Sequence, residues 1–407
     1  MNTATRHAVP LGLAAVLALL SMISPFSIDT FFPSFRAMQA EFRISDLSIQ
    51  QTLTAYMLPY AIMSLVHGPL SDAFGRRVIV LWGLSLYALA SLACAFAPTF
   101  YALLAFRALQ GMTAGTGLTV GRAIIRDLYD GPEAQRLMSA VTMIFSVAPA
   151  IAPLIGGWIH VAFGWRAVFG FLAVLGVAVV FASWIKLPET LPPKRRTPAR
   201  FGGLVALSWR IMRTREFVMI ALAGGLNFGA VLAYVGSAPA IVLDNWKLTE
   251  TQFHWLFIPI IGGFTIGAIL SGRMAGRLPQ SRQVALGFAT TIGASASAAL
   301  LHATLAAPPP ILVQQGLMTL GSIGVQLVFP VLTLRIMDMF PASRGSAASV
   351  QTFIQLLVAS TIIGFAVPAI HGSMLWLTAG SMTATTFSML LYFGAARFGG
   401  TRPRVIA

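Results

Sequence analysis

Apolar runs of about twenty residues recur along almost the whole of this 407-residue chain, each long enough to cross the hydrocarbon core of a bilayer as a helix. Inside lipid every backbone N–H and C=O must find a partner within the protein, which leaves helices and closed barrels as the only spanning structures. These runs are continuously apolar rather than alternating with period two, so helices are expected and not a barrel. Only 10% of residues are charged and 57% are hydrophobic, whereas a soluble chain carries about a quarter charged. The expectation is an all-α integral membrane protein with twelve transmembrane helices at 9–35, 49–69, 78–97, 101–125, 138–161, 166–186, 216–240, 252–272, 284–304, 309–334, 346–370 and 375–396.

The net charge of +15 is a topology signal once the charges are mapped. With the N-terminus in the cytoplasm, the inner segments hold 22 Lys and Arg, among them Arg6, Arg76, Arg77, Arg136, Arg397, Arg402 and Arg404, and the outer loops hold only Arg36, Arg43, Arg166 and Lys247. The positive-inside rule then puts both termini in the cytoplasm. The basic excess also favours anionic lipid. No basic, aromatic-interleaved module is present, so nucleic acid is excluded as a partner. The first span is too long for a leader and lacks a clean small-x-small site, so it is expected to be retained. The single cysteine, Cys94, sits in "ALASLACAFAP" and reads as a small hydrophobe.

The longest polar stretch begins "KLPETLPPKRRTPAR" and carries Pro188, Pro192, Pro193 and Pro198. It reads as a linker at 187–215 with a short surface helix near 201–213. It divides the chain into 1–186 and 216–407, with six spans in each part. "LSDAFGRR" after span two is echoed by "LSGRMAGR" after span eight, which suggests duplication. Two pseudo-symmetric six-helix bundles with a substrate site between them at mid-membrane are a common plan of secondary transporters.

Three local patterns carry chemistry. "GPLSDAFGRR" (68–77) offers glycines for a tight turn and an Asp72/Arg76/Arg77 cluster that either latches the two halves together or is simply a short solvated loop. Arg122, Arg126, Asp127 and Asp130 follow span four and are expected nearby, as parts of an inner gate. Span five holds Pro149, Pro153, Gly156 and Gly157, which fit either a bent sealing helix or ordinary close packing.

Together these residues resemble the major facilitator superfamily (MFS). Gly68, Leu70, Asp72, Gly75, Arg76 and Arg77 match its loop motif between helices two and three. "RALQG", through Arg107, Gln110 and Gly111, is similar to a motif of its proton-coupled members. "APAIAPLIGGWI" resembles the helix-five motif of drug antiporters, with Ala152 where Gly is usual. "SPFSIDTFFPSF", "RAIIRDLY", "FGWRAVF" and "LPETL" together resemble the bicyclomycin/chloramphenicol-resistance (Bcr/CflA) branch of the twelve-helix drug:proton antiporters. The resemblance implies proton-coupled efflux of small drug-like or amphipathic compounds by alternating access, from a monomer in the bacterial inner membrane, with no cofactor and no metal.

Asp29 is the one acid expected well inside a span, and Arg107 the one comparably embedded base. A carboxylate at membrane depth costs a few kcal/mol, so it normally faces a cavity and works there. The expectation is that Asp29 and Arg107 share one cavity, where burial favours the neutral acid, a guanidinium favours the carboxylate, and a proton competes with cargo. The competing readings are a structural ion pair, or an acid reaching the outer interface. Phe26, Thr30, Gln110, Tyr234 and Gln355 are candidate substrate contacts. Phe31 and Phe32 are either stacking surfaces for a planar compound or interface anchors. Asn227, Gln314, Gln315, Gln326 and Gln351 serve either cargo or interhelical hydrogen bonds.

An enzyme is disfavoured: His7, His67, His160, His254, His302 and His371 are dispersed, and no nucleophile elbow, phosphate loop or zinc motif appears. Without an ATP-binding segment the energy source is an ion gradient. An uptake symporter or exporter of a small metabolite such as a sugar, organic acid or amino acid is the nearest alternative. A non-transporting scaffold or receptor stands further off.

Overall fold

A computed structural model describes residues 10–129, 131–196, 201–370 and 372–395. Arg6, His7, Asp130, Pro198, His371, Arg397, Arg402 and Arg404 lie outside the described residues.

The membrane helices are α1 (Leu11–Asp29), α3 (Asp46–Ser64), α5 (Arg76–Ala95), α6 (Phe100–Leu128), α7 (Gly131–Phe163) and α8 (Trp165–Lys186) in the first half. The second half has α10 (Arg215–Gly236), α11 (His254–Met274), α12 (Gln280–Thr304), α13 (Ile311–Met339), α14 (Arg344–Thr361) and α16 (Met374–Ala395). Shorter helices fill the connections: α2 (Phe35–Phe42), α4 (His67–Phe74), α9 (Phe201–Met212) and α15 (Val367–Ile370). The surface helix expected near 201–213 is α9. Span two is broken at Leu65 and Val66, so "GPLSDAF", expected to be loop, is helical in α4.

Among the described residues ten helices are both long and apolar enough to cross a membrane. The other two of the twelve, α3 and α6, have the length but are too polar: α3 carries Gln50, Gln51, Thr52, Thr54 and Tyr56, and α6 carries Arg107, Gln110, Thr113, Thr116 and Arg122. Polar groups at membrane depth are placed against other helices, not lipid, and here Gln50, Thr52, Tyr56, Arg107, Gln110 and Thr116 are buried.

The two halves repeat one pairing scheme. In the first, α1 packs on α6, α7 and α8, α3 on α6, and α5 on α6 and α8; in the second, α10 packs on α13, α14 and α16, α11 on α13, and α12 on α13 and α16. Between halves, α3 meets α14 and α7 meets α11. Since α3 corresponds to α11 and α7 to α14, the two contacts exchange with one another, so the join is itself near two-fold.

Close approach of the halves is found at the end opposite the Asp72–Arg77 segment. There Gln50 Nε2 donates to Gly236 O (2.9 Å), Gln51 Nε2 donates to Gly364 O (2.9 Å), and the Phe32 and Phe257 rings lie 6.1 Å apart. Arg36 bridges Asp46 of its own half (3.3 Å) and Asp244 of the other. A Cβ on Gly157 would overlap Glu250 O, and one on Gly364 would overlap the Thr54 hydroxyl. Glycine at these two positions is what lets backbone meet the opposite half.

Candidate functional site: a buried acid beside an immobilised arginine

Arg107 is wholly buried. Its Nη1 donates to Ser27 O (3.0 Å) and to Gln110 Oε1, and its Nε donates to Thr52 O (3.3 Å). The guanidinium lies 4.5 Å from the centroids of both the Phe31 and Tyr56 rings and 5.9 Å from that of Phe169. Gln110 is anchored in turn, Nε2 donating to Ser91 Oγ (2.7 Å), and Ser91 donates to Tyr87 O (2.8 Å). Tyr87 OH meets Ser27 Oγ at 2.6 Å, closing the circuit onto α1. The cation is thus solvated by carbonyl and amide oxygens and ring faces. Cation–π contacts strengthen when desolvated, to about 2 kcal/mol or more.

The structural ion pair, one of the competing readings, is absent. No acid lies within ion-pair distance of Arg107, and no donor or base reaches the Asp29 carboxylate, among the described residues. The reason is helical phase: α1 presents Ser24 and Ser27 to Tyr56 and Arg107, and Asp29 follows Ser27 by two residues, a turn of roughly 200°. Asp29 ends α1 at 4% exposure, the only buried carboxylate among the described residues. It does not reach an interface.

The other expected substrate contacts divide. Gln110 has both ends occupied in the arginine circuit and is fully buried. Thr30 donates to Phe26 O (2.6 Å), and its carbonyl occupies the space a Cβ on Gly156 would need. Phe26 is buried, its ring 6.3 Å from that of Phe171. These three are packing residues in this conformation, and so are Phe31 and Phe32, which are neither interface anchors nor open faces. In the second half, the Gln355 amide nitrogen is buried without a partner, as is Asn227 Oδ1, while Tyr234 lines a recess within that half. Gln315 bonds Trp255 O of α11 and Gln351 bonds Thr333 of α13, so both serve interhelical packing, whereas Gln314 bonds Pro309 O in the loop before its own helix.

At the opposite end of the first half, Arg76 is the hub of the loop motif. Its Nη1 lies 2.5 Å from Asp72 and donates to Ser71 Oγ (2.6 Å), and its Nε donates to Asp127 (3.0 Å). Arg77 caps α8 by donating to Trp184 O (2.6 Å). Arg122 and Arg126 make no ion pair among the described residues. Gly75 makes the turn, at φ 106°, whereas Gly68 lies inside α4 with open space around it, so only one of the two motif glycines is needed for the turn.

Sequence reasoning missed Glu189. Its Oε1 accepts from Arg76 N and Leu191 N (both 3.0 Å), a Cβ on Gly75 would press on its carboxylate, and Thr190 Oγ1 donates to Asp127 (2.8 Å). The start of the linker is therefore fastened to the motif. The signal is "LPETL", which the sequence marks as the start of the linker and as part of the branch resemblance but not as a partner of the motif. All these contacts lie within the first half, so the cluster latches the linker to one bundle.

The sequence matches the Major Facilitator Superfamily over residues 17–364, and the chain belongs to that family. It is thus a multi-pass membrane transporter and not an enzyme. It is 34% identical to an uncharacterized MFS-type transporter, YdgK, of Bacillus subtilis, over 73% of this chain and 75% of that one. It is 27% identical to a bicyclomycin resistance protein homolog of Haemophilus influenzae, over 93% and 92%, and 28% identical to multidrug resistance protein D of Escherichia coli, over 83% and 84%. The resemblance to the Bcr/CflA branch stands on such relatives. Among solved structures, a peptide transporter, POT, superposes with TM-score 0.75 at 16% identity over 98% of this chain and 97% of that one. A D-xylose-proton symporter superposes with TM-score 0.71 at 13% identity, over 94% and 97%. Both show the fold alone.

Proposed function

We propose that the chain exports small drug-like or amphipathic compounds from the bacterial cytoplasm in exchange for protons, by alternating access between residues 1–186 and 216–407. Both termini are placed in the cytoplasmic compartment, the protein works as a monomer in the inner membrane, and the linker 187–215 carries the connection. The observation that carries the reading is Asp29: among the described residues, one buried carboxylate, with no base or donor in reach, in a bundle whose buried cation is tied elsewhere. An acid without a fixed partner changes charge without breaking a salt bridge, which suits a proton carrier. The names of the relatives supply the cargo class.

In this assignment the end closed by Arg36, Asp244 and Gly157 faces outward, so the conformation is closed to the outside. The test is proton-driven uptake in inverted membrane vesicles. Acidifying the lumen should drive accumulation of a lipophilic dye, and adding dye should discharge the gradient. A sugar, organic acid or amino acid that discharges it while no dye does would identify a metabolite carrier instead.

The Arg76 cluster belongs to cycling in this scheme. Asp127→Asn should slow turnover several-fold with dye Kd nearly unchanged, measured by transport and by fluorescence titration on one preparation. Asp72→Asn should do less, because its carboxylate is 43% exposed and such surface pairs contribute about 0–1 kcal/mol. Equal losses in Kd and turnover would remove the cluster from gating.

A further inference from the structure

The pairing scheme that brings α1, α5, α6 and α8 around Arg107 brings α10, α12, α13 and α16 together in the second half. The corresponding space there is not filled by a guanidinium and an amide. Small residues stand in its walls (Ala294, Ala298 and Gly321), and they leave a narrow recess open at one end. The mouth lies at Leu301, His302 and Pro309, at the end opposite the Asp72–Arg77 segment, and the floor at Thr291 and Ser322. The ten residues of α12 between Thr291 and Leu301 make it about 15 Å deep at 1.5 Å per residue.

Its lining is of three kinds. Val231, Ile260, Leu317, Met318 and Met374 give apolar walls, Tyr234, Ser295, Thr378 and Ser381 add hydroxyls along the depth, and Gln314 and His302 add an amide and an imidazole. No carboxylate, lysine or arginine lines it. Most of the floor is satisfied: Thr291 donates to Gly321 O (3.0 Å), and Ser295 and Ser381 meet at 3.3 Å. Ser322 is the exception. It is 1% exposed, and its Oγ has no partner. A buried hydroxyl left unsatisfied costs about 1–3 kcal/mol, so a bound group that meets it is favoured.

We infer that this recess is a second binding site, separate from the proton-carrying bundle, for a slender uncharged amphiphile whose hydroxyl or amide reaches Ser322. An ion is disfavoured by the lack of any countercharge, and a bare alkyl chain would leave Ser322 unmet. Because the recess lies within one bundle, its mouth does not depend on how the halves are disposed.

Trp246 reports on the site. It is buried, and its Nε1 donates to Gln314 Oε1 (3.0 Å), whose amide in turn holds Pro309 O (2.7 Å) at the mouth. Purified full-length protein in nanodiscs is titrated with bromohexanol, whose bromine quenches a neighbouring indole. Saturable quenching that disappears in Trp246→Phe is expected. Ser322→Ala should raise the bromohexanol Kd about threefold to tenfold, the range for one lost hydrogen bond. Ala294→Phe, which fills the wall, should raise it by at least about tenfold. Bromohexane and bromohexanoate should bind more weakly than the alcohol. Quenching that stays linear in all variants, as for partition into lipid, would overturn the site. Equal affinity of bromohexane and bromohexanol, or an unchanged Kd in Ser322→Ala, would overturn the recognition through Ser322.

Discussion

Asp29→Asn is expected to abolish proton-driven efflux while leaving the amount of folded protein in the membrane unchanged. The first half of this outcome follows from chemistry: an amide of nearly the same shape takes up no proton, and Asp29 is the only buried acid among the described residues. The second half follows from the surroundings. No ion pair or hydrogen bond is lost, because the carboxylate has no described partner, so the usual cost of breaking a buried pair, about 3–5 kcal/mol, does not arise. Placing a neutral amide where a carboxylate costs a few kcal/mol to bury is stabilising if anything. The measurement pairs dye efflux from energised cells with the melting temperature of the purified variant. Downhill exchange of dye should persist when uphill transport is gone. Uphill pumping by the Asn variant would move the proton to another residue, and a lower melting temperature would mean that the carboxylate has a structural partner.

Arg107 behaves in the opposite way. Three oxygen acceptors and two ring faces fix it, and a lysine supplies neither the fork nor the flat face. Its charge is therefore a permanent feature of the first bundle, whereas the proposed efflux scheme makes that of Asp29 the one that changes. In that scheme coupling is asymmetric: one fixed cation, one proton-carrying acid, and no direct contact between them.

The twelve spans, the linker helix and the isolation of Asp29 were legible from the sequence because each is a statement about one segment: where charge is excluded and where one charge is let in. What the segments present to one another was not. The order of the spans puts Asp29 and Arg107 toward the same side of the membrane, but the 200° between Ser27 and Asp29 separates their faces, and depth alone does not show this. Gln110 reads as a candidate cargo contact, but in the fold both ends of its amide are engaged, by Arg107 and by Ser91 on a different helix. Glu189 lies 113 residues from Arg76, and nothing local marks a glutamate in a proline-rich linker as the acceptor for a turn. The recess of the second half is made by residues that are missing bulk. Alanines, glycines and serines inside apolar runs look the same whether helices close over them or leave a space.

Gly157→Val should shift the protein toward the conformation open on the outer side, because glycine is essential to the outer closure. The polar contacts that hold that end shut are a half-exposed Arg36 cluster, worth about 0–1 kcal/mol per pair, and two glutamine-to-backbone bonds, each contributing about 1 kcal/mol, and apolar packing such as Phe32 against Phe257 adds to them. A side chain at Gly157 meets Glu250 O and Thr251 of the other half, both backbone, which cannot rotate out of the way. Overpacking of this kind costs about 1–3 kcal/mol, enough to change the balance between conformations by about tenfold to a hundredfold, at 1.4 kcal/mol per decade. Gly156 is the control. Its neighbour is Thr30 O on α1, inside the same bundle, so Gly156→Val should destabilise the bundle and lower the melting temperature without favouring either conformation. The readout is alkylation of Ser237→Cys, a residue buried beside Gly236 where Gln50 closes the join, in a Cys94→Ala background with a membrane-impermeant maleimide. In intact cells Gly157→Val should raise the alkylation rate by about tenfold or more. An unchanged rate together with lost transport would place Gly157 outside the closure and make it one more packing glycine.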